Sequence, residues 1–511
     1  MSDWTGGYIA DIGYTYGYYG ELNPHRIKLA FLRAGLACPD NINACELGFG
    51  QGVSSNLHAA ASVTNWYGTD FNPAQAGYAQ QLAEASGANA RLFDESFAEF
   101  CSRPDLPQFD FIGMHGIWSW ISDENRQIIT DFLRRKLKVG GVLYVSYNTQ
   151  PGWAAMAPMR DLLVEHAELM GAAGHGIVPR IDSALEFASK LVGAGARYGV
   201  ANPGVAARLE ALKGQNRNYL AHEYFNRDWE PMSFSKMTRW LGDAKLDFAC
   251  SAHLLDHVDA INMPVEQQQI LKDIPDRSFR ETVRDFLVNQ QFRRDYWVRG
   301  LRPVSALERI EKLRAQRFIM VAVREEITLK VSGAIGEAVL HENVYVPLLD
   351  LLSDLRVHTL HDIERALEGK ADFNGVLQAL MILAGKGCIQ LVQDDMTIKA
   401  ATPQANRLNR ELCNQARYSE AVSALASPVT GGGVGLNRFE QLFLLSSKDA
   451  PNEPAAWARS MLQALAAQGQ RMLVEGKLAE SPEIEREAAL RLANDFKNKR
   501  LPVLKALRVQ C

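Results

Sequence analysis

Residues 44–52 read Ala-Cys-Glu-Leu-Gly-Phe-Gly-Gln-Gly, an acid, Glu46, ahead of three evenly spaced glycines, Gly48, Gly50 and Gly52. Ile42, Ala44 and Cys45 before them suit a short buried strand, and 53–62 after them suits a helix. Glycines at a strand-to-helix turn let a ligand approach the main chain and allow positive φ. The spacing is E-x-G-x-G-x-G, where a dinucleotide-phosphate turn has G-x-G-x-x-G. The turn contains no lysine or arginine and is led by an acid. It therefore suits a nucleoside-like ligand with a cationic end better than a phosphate, although glycines alone also make tight turns.

The next strand, Asn65-Trp-Tyr-Gly-Thr-Asp-Phe71, ends in Asp70. An acid there hydrogen-bonds ribose hydroxyls in nucleotide-binding sheets. Asn72-Pro73 also signals a helix start, so Asp70 has a second reading as a helix cap.

The bulk properties narrow the class. The 511 residues suffice for two or three domains, with 47% hydrophobic and 22% charged residues. A net charge of −4 argues against binding nucleic acid through charge. No apolar run approaches the roughly 20 residues of a membrane helix, and the first residues do not read as a signal peptide. The seven cysteines are scattered and never form C-x-x-C. They are expected to be reduced core residues of a cytoplasmic protein, with no metal site.

Along the chain, strand and helix alternate from 42 to 148, which predicts a parallel sheet covered on both faces. Tyr8, Tyr14, Tyr16, Tyr18 and Tyr19 lie among glycines near the start. They read either as a loop pinned by buried rings or as a lid placing aromatic faces over a cation. Strands are expected at 90–93, 109–114 and 140–147. Ser96 and Phe97 follow the first of these and suit an adenine. The second ends at Met114 and runs into His115-Gly-Ile-Trp118-Ser-Trp120, and the third ends in Tyr147-Asn148 before Trp153. Ligands of open α/β sheets bind beyond these carboxyl ends. His115 is either structural or, with its aromatic neighbours, part of a substrate mouth.

The expected divisions are 1–153, 154–220 as a helical insertion, 221–300 completing the sheet, 301–400 and 401–511. Strands at 245–253 and 291–298 would close a seven-stranded sheet, the last antiparallel, with about forty mostly helical residues between them. Residues 345–400 read as a winged-helix-like unit: three helices, then a hairpin of 388–392 with 396–399. Its third helix is almost wholly apolar, which suits a structural or protein-contact role better than reading DNA. The basic C-terminal stretch with Lys497, Lys499, Arg500, Lys505 and Arg508 reads as a solvated helix face.

The motifs Tyr18-Tyr-Gly-Glu-Leu-Asn-Pro24, Glu46-Leu-Gly-Phe-Gly-Gln-Gly52, Gly68-Thr-Asp-Phe-Asn-Pro73, His115-Gly-Ile-Trp-Ser-Trp120 and Ser146-Tyr-Asn-Thr-Gln-Pro-Gly-Trp153 together resemble one bacterial group. These are class I S-adenosylmethionine-dependent methyltransferases with a regulatory domain, among them the rickettsial protein-lysine methyltransferases. The segment from Tyr219 to Gly300 is similar to that regulatory domain. The resemblance implies a Rossmann-like seven-stranded sheet, S-adenosyl-L-methionine as cofactor and a homodimer; the substrate does not carry over with it, and a protein substrate is the first of the readings below. The resemblance also implies that Glu46, Gly48, Gly50 and Gly52 face the methionine part and Asp70 the ribose, with Tyr14, Tyr18, Phe71, Ser96, Phe97 and Met114 nearby.

A lysine acceptor must lose a proton before it attacks, since its reference pKa is about 10.4. His115 or Tyr147 is expected to take that proton, Asn148 and the tyrosines to orient the amine, and Trp118, Trp120 and Trp153 to line the substrate mouth. Competing readings are a small-molecule methyltransferase, a non-catalytic cofactor-binding regulator and, at fold level, a nicotinamide dehydrogenase.

Overall fold

The computed structural model describes residues 12–511 except 41, 172, 173, 175 and 475. Tyr8 of the tyrosine cluster lies outside the described residues.

The centre of the molecule is one sheet of seven strands, ordered β3-β2-β1-β4-β5-β7-β6. They are β1 (Asn43–Leu47), β2 (Asn65–Thr69), β3 (Ala90–Phe93), β4 (Phe109–Met114), β5 (Leu137–Asn148), β6 (Leu246–Ser251) and β7 (Phe292–Arg299). The first five run parallel, and β7 is antiparallel to both its neighbours. This is the Rossmann-like methyltransferase sheet that the sequence predicts. Strand order reverses at β1, so the crevice between the ends of β1 and β4 is the natural ligand position.

Helices cover both faces: α1 (Ile27–Arg33), α2 (Val53–Ala61), α3 (Pro73–Ser86), α4 (Phe97–Ser102) and α5 (Asp123–Lys136). Between β5 and β6 comes the helical insertion, with α6 (Ala157–Leu169), α7 (Ile177–Gly193), α8 (Arg197–Ala201), α9 (Gly204–Lys213) and α10 (Arg217–Tyr224). Its apolar core gathers Trp153, Met159, Leu185, Leu209, Leu220 and Phe225.

The C-terminal region is built into the sheet domain. Every residue of α2 is buried, because helix Asp395–Gln415 and the hairpin of Ala424–Ser427 with Gly432–Gly435 pack against it. The carbonyls at the end of α2 have no partners of their own helix. Gln404 Nε2 donates to the carbonyls of Ala59 and Ser62, and Gln393 Nε2 to that of Ala61.

The expected wing is different. Three helices stand in the winged-helix-like region, at Glu342–Leu352, Leu360–Ala366 and Phe373–Gly385. Ile389–Leu391 is a strand, but it pairs with Arg317–Met320 from upstream. Residues 396–399 belong to the first turns of the helix Asp395–Gln415. Asp394 sets this by accepting the Thr397 N–H at 2.9 Å, an N-cap that outcompetes strand extension. The third helix buries Val376, Leu377 and most of its remaining length, so it is a core element.

Two other expectations are corrected. Cys413 and Cys511 are paired as a disulfide across 98 residues, where reduced thiols were expected. Arg500 in the basic C-terminal stretch is a tie, not a solvated face: its guanidinium donates to the carbonyls of Val321 at 2.8 Å and Gly435 at 2.6 Å. No helix among the described residues is long and apolar enough to cross a membrane.

Candidate active site

At the carboxyl ends of β1, β2 and β4 lies a cavity of about 200 Å³, open to solvent. The glycine turn is its floor. Gly48, Gly50 and Gly52 all have positive φ, at 74°, 59° and 67°. A Cβ on Gly48 would fall 2.4 Å from Ile117 Cδ1, and one on Gly52 would fall 2.4 Å from the Cβ of Ala79. Gly48 and Gly50 line the cavity, while Gly52 sits behind them as the N-cap of α2.

Asp70 braces the turn. Its Oδ2 accepts the Gly50 N–H at 2.8 Å and its Oδ1 the Asn72 N–H at 3.1 Å. The cap of α3 is Asn72, which accepts the Ala74 N–H, so Asp70 is left facing the cavity. Burial pushes its carboxyl up to about 6, against the pull of those two amides. Glu46 stands beside it, buried, and accepts the Ser55 hydroxyl. Burial, with Asp70 adding to it, raises Glu46 to about 8, while the Ser55 bond lowers it.

The remaining walls come from three places. After β3, Ser96 and Phe97 line the cavity. Ser96 forms a capping box with Glu99, so its N–H is spent on the Glu99 carboxylate at 2.9 Å and is not a donor for a ligand. Phe71 adds a second ring. After β4, His115, Ile117, Trp120 and Asn125 line the far side. The N-terminal segment crosses above with Tyr14 and Tyr19. Tyr19 stacks on His115 with ring centroids 3.7 Å apart. Tyr14 meets the His222 ring of α10 edge-on at 5.0 Å, and Asn218 Nδ2 donates to the Gly13 carbonyl at 3.3 Å. So the tyrosine segment is both pinned by rings and placed over the cavity.

Several expected site residues stand elsewhere. Tyr18 points away from the cavity, and its hydroxyl accepts the Gly433 N–H at 2.7 Å. Adjacent residues of an extended segment face opposite sides, so Tyr19 takes the place expected for Tyr18. Met114 is fully buried in the core behind β4. Tyr147 is buried on the far face of β5, donating its hydroxyl to Asp295 Oδ2 at 2.9 Å. Burial raises its pKa well above the usual value, which disqualifies it as a base. Asn148 is buried, and its N–H donates to Ser119 Oγ at 2.9 Å. Trp118 is core, with Nε1 on Met232 Sδ at 3.2 Å. Trp153 packs in the insertion, 5.0 Å from Trp229. Of the three tryptophans, Trp120 alone lines the cavity.

His115 is in place, with Nδ1 2.8 Å from the Tyr144 hydroxyl. Burial lowers its pKa to about 4, so it is neutral at pH 7 and a weak proton acceptor. The sequence reading missed His222, Glu223 and Asp228, which close the cavity from α10 and the turn after it. A usable signal was present: a polar pair, His222-Glu223, interrupts the mostly apolar run from Tyr219 to Phe225.

The lining is strongly one-signed. Glu46, Asp70, Glu95, Glu223 and Asp228 are all acids, and among the described residues no lysine or arginine lines the cavity. Such a site attracts cations and repels phosphates. Among the described residues there is no cluster of side chains that could hold a metal ion.

Comparison with known proteins agrees with this architecture. The family described as a predicted methyltransferase regulatory domain matches residues 216–299, from just before α10 to the end of β7. The uncharacterized protein sll1526 of Synechocystis sp. is 40% identical over 510 residues, 99% of each chain. The uncharacterized protein RP789 of Rickettsia prowazekii is 25% identical over 287 residues, covering 54% of this chain and 49% of that protein. The solved structure of PKMT2 from Rickettsia typhi in complex with AdoHcy has a TM-score of 0.71 to this one at 17% identity. It covers 97% of this chain and 100% of that one, so the fold is shared along the whole length. This chain and the Synechocystis protein belong to one family, which carries a methyltransferase regulatory domain over residues 216–299 here and shares its fold with PKMT2.

Proposed function

We propose that the protein transfers a methyl group from S-adenosyl-L-methionine to a protein lysine side chain. The observation that carries this reading is the cavity over the glycine turn, lined by five acids and, among the described residues, by no lysine or arginine. The residues present fit the cofactor. Glu46 and Asp70 are two buried carboxylates whose raised pKa values mark a need for a cation or hydroxyl donors. Gly48 and Gly50 leave the main chain bare on the cavity floor, where a nucleoside would press on it.

Glu46 and the turn hold the amino-acid end, Asp70 the ribose hydroxyls, and the rings of Phe71 and Phe97 flank the base. When bound, S-adenosyl-L-methionine supplies the methyl group and a neutral thioether as leaving group. The chain's own contribution is positioning and exclusion of water. Tyr19, held by its stack on His115, and Trp120 wall the acceptor side with aromatic faces that favour a cation. An ammonium is the acceptor form such a wall and such acids select, and lysine is the side chain that carries one.

Incubation with radiolabelled S-adenosyl-L-methionine and fractionated lysate tests the reading. Label is expected in polypeptide, stable to base and recovered as methylated lysine after hydrolysis. Label confined to metabolites would replace the substrate with a small molecule. Absence of any label alongside tight cofactor binding would make the protein a cofactor-sensing regulator.

A further inference from the structure

Five carboxylates face the cavity, and four are engaged. Glu46 takes the Ser55 hydroxyl. Asp70 takes two backbone amides. Glu95 pairs with Arg103 at 2.6 Å, and Asp228 with Arg227 at 3.2 Å. Glu223 alone has no hydrogen-bond or ion-pair partner among the described residues, although it lies on the cavity wall in the last turn of α10. Glu223 is half-buried, so its carboxylate reaches the cavity with its acceptor capacity unspent on the protein and open to a ligand donor there.

Its surroundings are fixed from three elements. From the N-terminal segment comes Tyr19, whose phenol feels the charges of both Glu223 and Glu46. Tyr219 and Tyr224 flank it on α10 itself. Arg208 of α9 is committed to the Tyr224 hydroxyl, with Nε at 3.2 Å and the second contact at 3.1 Å. His222 and Asp228 complete that wall.

We infer that Glu223, from the regulatory domain, is the group that receives the acceptor's ammonium and takes its proton, so that the regulatory domain supplies part of the active site. This rests on the amine-methylating reading above. One ammonium proton passes to the Glu223 carboxylate, leaving a lone pair on nitrogen. The nitrogen uses that pair to bond the methyl carbon, the carbon–sulfur bond pair stays on sulfur, and the product is a methylammonium beside a neutral thioether. Burial, the sole cause acting on Glu223, raises its carboxyl to about 7. That lies near working pH, as a proton acceptor requires. His115, at about 4, is the weaker candidate.

The test uses the full chain, its Glu223→Gln variant and its Glu223→Asp variant. The first readout is binding of n-butylamine, a mimic of the lysine side chain, with saturating S-adenosylhomocysteine. Glu223→Gln is expected to lose about tenfold or more in butylamine affinity, with S-adenosylhomocysteine affinity unchanged and Glu223→Asp retaining most of the binding. Equal butylamine binding by wild type and Glu223→Gln would overturn the inference, whatever the physiological acceptor.

The second readout is the pH profile of label transfer to polypeptide. Wild type is expected to rise to a plateau above about 7. Glu223→Gln should be slower and keep rising toward the lysine's own pKa of about 10.4. A profile in Glu223→Gln that matches wild type would also overturn it. Failure of wild type to label any polypeptide would instead count against the lysine reading, with the butylamine result still deciding Glu223.

Discussion

Asp70→Ala is expected to weaken binding of S-adenosylhomocysteine by about 10- to 100-fold. The estimate follows from the net worth of hydrogen bonds to a charged group, about 1.5–3 kcal/mol, at about 1.4 kcal/mol per tenfold. The carboxylate does two jobs here. It accepts the Gly50 N–H at 2.8 Å and so holds the glycine turn, and it faces the cavity where a ribose would sit. Gly48→Val should be more damaging still. The backbone there has φ 74°, and the added Cβ falls 2.4 Å from Ile117 Cδ1. A β-branched residue pays strain in that region, and relief would push Ile117 toward the ligand. Calorimetry with S-adenosylhomocysteine reads both effects, and circular dichroism checks that each variant is folded. Unchanged affinity in both variants would remove the glycine turn from the binding site.

The largest stability loss is expected at Arg293. Its guanidinium is buried and meets three carboxylates: Asp295 at 2.9 Å, Asp285 at 2.6 Å and Glu281 at 2.8 Å. It also lies 4.4 Å over the Phe234 ring. Asp295 in turn holds the Tyr147 hydroxyl, so the cluster stitches β5 to the antiparallel β7. Arg293→Ala leaves three carboxylates in the interior without their cation. Removing one partner of such a buried pair costs about 3–5 kcal/mol. Thermal unfolding should show a fall of several degrees, together with poor recovery of soluble protein. Tyr147→Phe, which deletes one hydrogen bond, should cost about 1 kcal/mol and leave methyl transfer intact. Equal stability of Arg293→Ala and wild type would show that the cluster does not hold the sheet's edge.

What the sequence made legible follows from local rules. The sheet could be read because most of its first strands are short, largely apolar runs, and β3 and β4 fall at the expected residues. The antiparallel β7 could be expected because two strand-like runs remained after a helical insertion. The glycine turn and Asp70 carry their geometry in their own residue types, and the structure brings them together at the cavity.

The rest depends on facing and on distant partners, which local pattern does not carry. Tyr18 and Tyr19 are chemically alike, and only their alternation along an extended segment decides that one meets Gly433 and the other His115. Tyr147 and Met114 lie on strands that reach the cavity's rim, but their side chains turn into the core. Asp394-Asp395-Met-Thr397 reads equally as a hairpin turn or a helix cap, and packing of the long helix on α2 and α3 chooses the cap. Glu223 enters the cavity only because the insertion folds back over the sheet, a contact between residues far apart in sequence.

The central claim is that this cavity holds a sulfonium nucleoside over an acid-led turn. Titration calorimetry of the wild-type chain with S-adenosylhomocysteine and, separately, with NAD tests it most directly. The account predicts saturable one-to-one binding of S-adenosylhomocysteine and no measurable heat with NAD. Binding of NAD with no response to S-adenosylhomocysteine would contradict it.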